Sequence, residues 1–87
     1  MKISEEKRAR IKEQILSVLF DSFPRAHFTS EISKIIARDE EFIKNLLNEL
    51  HSKDLVFPIK KNNKGIDFKK RTKWRLSNKA HLVYKNL

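Results

Sequence analysis

Basic side chains are concentrated in one stretch of this 87-residue sequence, and their chemistry is that of anion binding. Eight Lys and Arg residues lie between positions 60 and 75, where only Asp67 opposes them. The last third of the chain, residues 55–87, holds ten basic residues and one acidic residue, which matches the +9 net charge of the whole chain. Such a concentrated charge favours polyanions such as DNA, RNA or acidic lipid. The basic residues of the stretch are Lys60, Lys61, Lys64, Lys69, Lys70, Arg71, Lys73 and Arg75.

Other chemistries have little support in the sequence. There is no Cys and only one Gly, so neither a thiolate metal site nor a Gly-rich phosphate loop can form. His27, His51 and His81 are far apart and no carboxylate spacing frames them, while no Ser stands in a nucleophile elbow. We therefore predict no catalytic residue, no metal site and no cofactor.

The sequence also lacks the features of a membrane or exported protein. No apolar run approaches the roughly 18 residues of a membrane span. The N-terminus has no apolar segment of the kind found in signal peptides. We therefore expect a cytoplasmic protein without a membrane partner.

Apolar spacing predicts three helices in the first two thirds of the chain. The first covers residues 4–22 and is capped by Ser4. The second is expected over Ser30–Ala37, with Thr29 as its N-cap. Asp39 caps the third, which ends near residue 53. The predicted inward positions are Ile11, Ile15, Leu16, Leu19, Phe20, Phe23, Ile32, Ile35, Ile36, Phe42, Ile43, Leu46, Leu47 and Leu50.

The basic stretch is predicted to be the tip of a β-hairpin. Leu55–Ile59 reads as the first strand, and Pro58 places that strand at an edge because proline cannot donate to a ladder. Asn62–Gly65 has the composition of a turn. Lys73–Leu76 forms the return strand, on which Trp74 is expected in the core rather than stacked on a base.

Two polar residues mark the boundaries of this hairpin with the helices on either side. Asp54 is expected to adopt the left-handed conformation that ends the third helix. Ser77 is expected to cap a final short helix that continues to Leu87. Ala80, Val83 and Leu87 are the predicted inward positions of that helix.

The order helix, short strand, helix, tight turn, helix and hairpin resembles the winged helix-turn-helix family, particularly small bacterial and archaeal DNA-binding regulators. The resemblance covers roughly residues 8–80, and Asp54 stands where the family often has Gly. It implies an α+β fold with a three-helix core, a basic hairpin wing and a short C-terminal helix. It implies a single domain over residues 1–87, with the helix-turn-helix at 29–53 and the wing at 55–76. The segments that carry it are Phe28-Thr29-Ser30-Glu31-Ile32, Ile43 with Leu46-Leu47 and Leu50, Lys53-Asp54-Leu55-Val56, and Trp74-Arg75-Leu76-Ser77.

The resemblance implies a double-stranded DNA-binding transcriptional regulator in which the third helix enters the major groove and the wing contacts the backbone. The base-contact residues it implies on this chain are Glu41, Lys44, Asn45 and Asn48. The implied phosphate contacts are Thr29, Ser30, Lys60, Lys61, Lys64, Lys69, Lys70, Arg71 and Lys73. A homodimer would form through the first and last helices.

Alternatives remain at this point, because residues 27–54 carry a net charge of −2 and the third helix opens with Asp39-Glu40-Glu41. Either this helix reads bases weakly while the wing supplies the affinity, or it docks a protein. Phe68 or Trp74 could also stack on the bases of RNA or a single strand. For Phe68, packing under the hairpin and insertion into a minor groove are both open.

Overall fold

The computed structural model describes residues 4–86, which form four helices and a three-stranded antiparallel sheet. The sheet order is β1-β3-β2, so β2, which contains Pro58, is an edge strand as predicted. This is the α+β winged helix-turn-helix arrangement, with helices two and three followed directly by the hairpin. The elements are α1 (Glu5–Ser22), β1 (His27–Phe28), α2 (Thr29–Ile36), α3 (Glu40–Ser52), β2 (Val56–Ile59), β3 (Lys73–Leu76) and α4 (Asn78–Lys85).

Three of the predicted helix caps are confirmed by hydrogen bonds. The hydroxyl of Ser4 accepts from the backbone N of residue 7, and the carboxylate of Asp39 accepts from that of residue 42 at 3.1 Å. The Ser77 hydroxyl accepts from the backbone N of residue 80 at 3.0 Å. Asp54 has the predicted left-handed conformation, with φ of 61°. Each cap satisfies a backbone donor that the helix itself leaves unpaired, so the helix ends could be placed from these residue types.

The core lies where α1, α2 and α3 meet the inner face of the sheet. Its apolar side chains lie at helical spacing on the three helices and at alternate positions on the strands, as the apolar pattern predicts. Burying them supplies most of the driving force for folding. The buried apolar residues are Ile11, Ile15, Leu16, Leu19, Ile32, Ile43, Leu46, Leu47, Leu50, Val56, Trp74, Leu76 and Ala80.

Three sequence predictions in the short helices are wrong. Thr29 is the first residue of α2 rather than its cap, because the Glu31 carboxylate accepts from the backbone N of Phe28 at 2.7 Å and starts the helix one residue earlier. Ile35 is 58% exposed, since Ile32 occupies the inward face of this helix of only two turns. Val83 of α4 is the third, since it is exposed rather than inward.

Val83 is 55% exposed because α4 contacts the rest of the domain along a narrow line. Ala80 is buried on that line, and His81 stacks on Phe23 of the α1 C-terminus with 3.9 Å between ring centroids. Val83 lies beyond these contacts. The predicted inward position of Leu87 lies outside the described residues.

Glu49 of α3 receives hydrogen bonds from two basic side chains of α1, Arg8 and Lys12, the latter at 2.9 Å. The hydrogen bond from Lys12 is the largest cause of a lowered pKa for Glu49, and Arg8 adds to it, while partial desolvation opposes the shift. A lowered carboxylate pKa means that the unfolded chain binds the proton more readily than the folded chain does. The two hydrogen bonds therefore stabilise the fold at any pH above 4.5, the ordinary pKa of a glutamate. This stabilisation is lost as the pH falls through the lowered pKa of Glu49.

We expect Glu49→Gln to lower the free energy of unfolding at neutral pH by less than about 1 kcal/mol, because the carboxylate is partly exposed to solvent. The difference from the wild type should vanish as the pH falls below the Glu49 pKa. Urea unfolding of both proteins across a pH series measures this. A difference that stayed constant down to strongly acidic pH would contradict an electrostatic origin.

Within residues 4–86, no helix has the length and apolar character needed to cross a bilayer. Over the same residues, no cluster of His, Asp and Glu side chains is arranged to hold a metal ion.

Candidate nucleic-acid interface

The tip of the wing is closed by its own hydrogen bonds. The side-chain Oδ1 of Asn62 accepts from the backbone N of Lys64 and of Ile66, both at 2.9 Å. The backbone N of Gly65 donates to the Asn62 carbonyl at 3.0 Å, and Gly65 has a positive φ of 79° that favours glycine. The tip is therefore an ordered turn, and the lysines on it project from a defined backbone.

The basic side chains of the wing point mainly into solvent. Six of the seven predicted phosphate-contact lysines and arginines are exposed, and Lys73 is partly buried. In the described part of the chain, none of the seven lies within ion-pair distance of a carboxylate. Their charge is therefore not neutralised by the protein. The six exposed residues are Lys60, Lys61, Lys64, Lys69, Lys70 and Arg71.

The root of the wing is joined to the start of α2 through Trp74 and Thr29. Trp74 is 3% exposed, and its indole Nε1 donates to the hydroxyl of Thr29 at 2.8 Å. The Thr29 hydroxyl in turn donates to the carbonyl of Thr72 at 3.3 Å, and the Thr29 backbone N donates to the same carbonyl at 3.1 Å. The core position predicted for Trp74 is confirmed. The Thr29 hydroxyl donates its proton within the fold, to the Thr72 carbonyl, and its contact with a phosphate stays a prediction.

A cluster of two aromatic rings and two cations lies at the wing root. Phe28 and Phe68 meet edge to face with 5.3 Å between ring centroids. The guanidinium carbon of Arg71 lies 3.7 Å from the Phe28 centroid, and Lys73 Nζ lies 4.9 Å from it. We call Phe28, Phe68, Arg71 and Lys73 the cation–aromatic cluster. Of the two interpretations of Phe68, the structure has it packed at the wing root.

The outer face of α3 carries the four predicted base-contact residues. Glu41, Lys44, Asn45 and Asn48 are all exposed. They are presented outward because the opposite face of the helix is buried in the core. The buried residues of that face are Ile43, Leu46, Leu47 and Leu50.

A cleft of about 420 Å³ separates α3 from the wing root and contains predicted residues of both kinds. Glu41 and Lys44 line it from α3, and Thr29 and Ser30 line it from α2. On the opposite side it is lined by Lys70 and Arg71. The remaining predicted contacts lie outside it: Asn45 and Asn48 further along α3, and Lys60, Lys61, Lys64, Lys69 and Lys73 on the wing.

Three cleft residues, Glu40, Phe28 and Thr72, are not among the residues predicted from the sequence. Glu40 is exposed and lines the cleft beside Glu41. β1 pairs Phe28 with Lys73 of β3 and so places its ring at the wing root. The sequence signal for Phe28 is weak, because a two-residue strand has no recognisable pattern and its partner lies 45 positions away.

Comparison with known proteins supports the fold. No protein-family model and no curated protein matches the chain. Among solved structures, the chain is similar to MepR, a transcription regulator of the Staphylococcus aureus multidrug efflux pump MepA, with a TM-score of 0.70 and 18% identity over 87% of this chain and 52% of that one. It is also similar to the zinc-responsive MarR family member ZitR of Lactococcus lactis, with a TM-score of 0.68 and 20% identity over 98% of this chain and 51% of that one.

These similarities establish a winged helix-turn-helix fold of the kind found in MarR-type proteins. The chain spans about half the length of the solved structures it matches. At 20% identity or less, the shared feature is the course of the backbone rather than the residues of a site.

Proposed function

We propose that the chain binds double-stranded DNA and acts as a transcriptional regulator rather than as an enzyme. The observation that carries this proposal is the cleft in which Lys44 of α3 faces Lys70 and Arg71 of the wing root. A helix with exposed amides beside a hairpin of exposed cations offers groove contacts and backbone contacts on one surface. The relatives of similar fold, MepR and a MarR-family ZitR, are consistent with this assignment.

In this proposal the wing and α3 have different roles. The wing lysines and Arg71 bind phosphates and supply most of the affinity, since their charge is exposed and unpaired. Asn45 and Asn48 pair with adenine edges, Lys44 reaches guanine acceptors, and Glu41 accepts from cytosine. Glu40 and Glu41 repel phosphates from the start of α3. This repulsion weakens binding to any duplex whose bases do not make favourable contacts with the α3 side chains. Ser30, at the start of α2, adds a phosphate hydrogen bond.

The proposal favours duplex DNA over single strands for a structural reason. Stacking platforms for single strands need an exposed aromatic face. Trp74 is buried, and Phe68 and Phe28 are packed against each other and against cations. The localisation that follows is cytoplasmic and nucleoid-associated.

We further propose that the protein binds DNA as a homodimer formed through α1 and α4. Leu82 and Val83 of α4 are 58% and 55% exposed. Beside them Tyr84 lines a hollow of about 310 Å³ together with Leu16 and Phe20 of α1. A second copy packed on this apolar face would remove it from water, and twofold symmetry would direct the two α3 helices toward a pseudo-palindromic site.

Selection from a random duplex pool at two salt concentrations tests the function. We expect the wild type to enrich a defined sequence, and the Asn45→Ala, Asn48→Ala double variant to change that sequence more than it changes overall affinity. The matched control replaces two exposed residues that lie outside α1, α3, α4 and the wing, Arg25→Ala and Lys34→Ala, and should enrich the wild-type sequence.

Each outcome of the selection has a defined meaning. A pool that stays random at both salt concentrations would contradict sequence-specific binding. A uniform loss of affinity with an unchanged sequence would make Asn45 and Asn48 backbone contacts. A palindromic site supports the homodimer, whereas a single half-site bound by one copy would contradict it.

A further inference from the structure

The contact between Arg71 and Phe28 is the closest cation–ring approach in the described part of the chain. The guanidinium carbon lies 3.7 Å from the ring centroid, a distance at which the flat guanidinium stacks on the ring face. Arg71 is also the only arginine among the predicted phosphate contacts. A stacked guanidinium keeps its N–H edge available, so stacking and hydrogen bonding to an anion are compatible.

Phe28 is well placed to fix this arginine because the ring is itself held on several sides. Its backbone pairs with Lys73 of β3, and its backbone N donates to Glu31 at 2.7 Å. Phe68 packs edge-on against the ring, and Lys73 Nζ lies 4.9 Å from its centroid. The ring is therefore anchored at the junction of β1 and α2, next to the buried Trp74.

The side chain of Arg71 would move freely without a contact that holds it in place. Arg71 lies in the irregular segment between the wing tip and β3, and no carboxylate within residues 4–86 pairs with it. An arginine side chain that moves freely loses conformational entropy when it binds, and a pre-ordered one loses less. Arg71 and Phe28 both line the cleft, so an ordered guanidinium there borders the space that a ligand would enter.

We propose that Phe28 is a positioning residue for DNA binding, which holds Arg71 at the cleft so that its N–H edge binds one backbone phosphate through two hydrogen bonds. This inference rests on the proposed function. It divides the wing into two kinds of phosphate contact. The exposed lysines act as mobile charges. The guanidinium of Arg71 is held in one place, so it sets where the DNA backbone lies relative to α3.

A double-mutant cycle between Phe28 and Arg71 tests the proposal. Phe28→Leu keeps an apolar side chain of similar bulk but removes the aromatic ring, and Arg71→Ala removes the guanidinium. We expect each single variant to weaken duplex binding about tenfold, as expected for a lost bidentate contact to a charged group. The double variant should bind no more weakly than Arg71→Ala, because Phe28 acts only through Arg71. The affinity of all four proteins is measured by equilibrium binding to the duplex that the wild type selects from the random pool.

The matched control pairs Phe28→Leu with Lys60→Ala, whose side chain is not part of the cation–aromatic cluster, and there the two losses should add. Phe28→Tyr, which restores the ring face, should bind like the wild type. Thermal melting checks that each variant folds, and Phe28→Met replaces Phe28→Leu if the leucine variant does not melt cooperatively.

The results separate this inference from the function on which it rests. Losses that add between Phe28 and Arg71 would show a merely structural role for the ring and would overturn the inference while leaving DNA binding intact. A wild-type protein that fails to bind any duplex at low salt would overturn both.

Discussion

Replacing Lys60, Lys61, Lys69 and Lys70 with Ala together should lower the affinity for duplex DNA by about three orders of magnitude at 0.1 M salt. All four side chains are exposed, and none is paired with a carboxylate in the described residues. Each lysine that neutralises a phosphate releases condensed counterions, so each loss reduces the slope of log K against log salt by about 0.9. The four losses together should reduce that slope by about 3.6. Titrations of one duplex across a series of salt concentrations measure both quantities.

A control with the same change in net charge distinguishes contact from general electrostatics. Arg25, Lys34, Arg38 and Lys53 are exposed residues outside the wing and outside α1 and α4, and their joint replacement with Ala also removes four positive charges. This variant should keep the slope close to that of the wild type, because release of condensed counterions requires proximity to the phosphates. Equal reductions in slope for the two quadruple variants would contradict a specific role for the wing.

The size of this effect follows from the unequal distribution of charge over the fold. The start of α3 carries Glu40 and Glu41, which share the cleft with Lys70 and Arg71 of the wing root. A phosphate near the helix start is repelled, whereas one near the wing is attracted. In the proposed function, affinity therefore depends on the wing, and the contribution of α3 depends on whether its side chains contact matching bases.

Sequence patterns predicted the helices and the hairpin because those elements depend on local rules. Apolar spacing located the core faces of α1 and α3, and Ser4, Asp39 and Ser77 located helix starts through bonds to residues three positions away. The edge position of Pro58 also followed from one residue's chemistry, its missing N–H.

The remaining features depend on contacts between distant residues and could not be read from the sequence. Thr29 looks like a helix cap, but its hydroxyl is turned toward Trp74, which is 45 positions away. Phe28 belongs to no sequence pattern that indicates a function, and its position at the wing root exists only because β1 pairs with β3. The same pairing brings Arg71 over its ring. Thus the positive charge of the candidate site could be predicted from the sequence, but the contact between Arg71 and the Phe28 ring could not.

The anchoring of the wing root through Trp74 can be tested by its effect on stability. Trp74→Ala should lower the free energy of unfolding by about 3–5 kcal/mol, since it removes a buried indole and leaves a cavity. For a domain of this size that loss corresponds to a fall in melting temperature of at least about 12 °C. It is also a large share of the roughly 4–13 kcal/mol expected for the whole domain.

Two milder substitutions separate the packing of the indole from its hydrogen bond to Thr29, which measures 2.8 Å. Trp74→Phe retains much of the apolar bulk and removes the donor, whereas Thr29→Val removes the acceptor and leaves the buried indole N–H without a partner. An orphaned buried donor costs about 1–3 kcal/mol, so Thr29→Val should be destabilising even though valine is similar in shape to threonine. In the Trp74→Phe background, Thr29→Val should cost less, because no indole N–H remains to be orphaned. Thermal and urea unfolding of the four proteins checks this, and equal costs of Thr29→Val in both backgrounds would show that the bond contributes nothing to the joint between wing and α2.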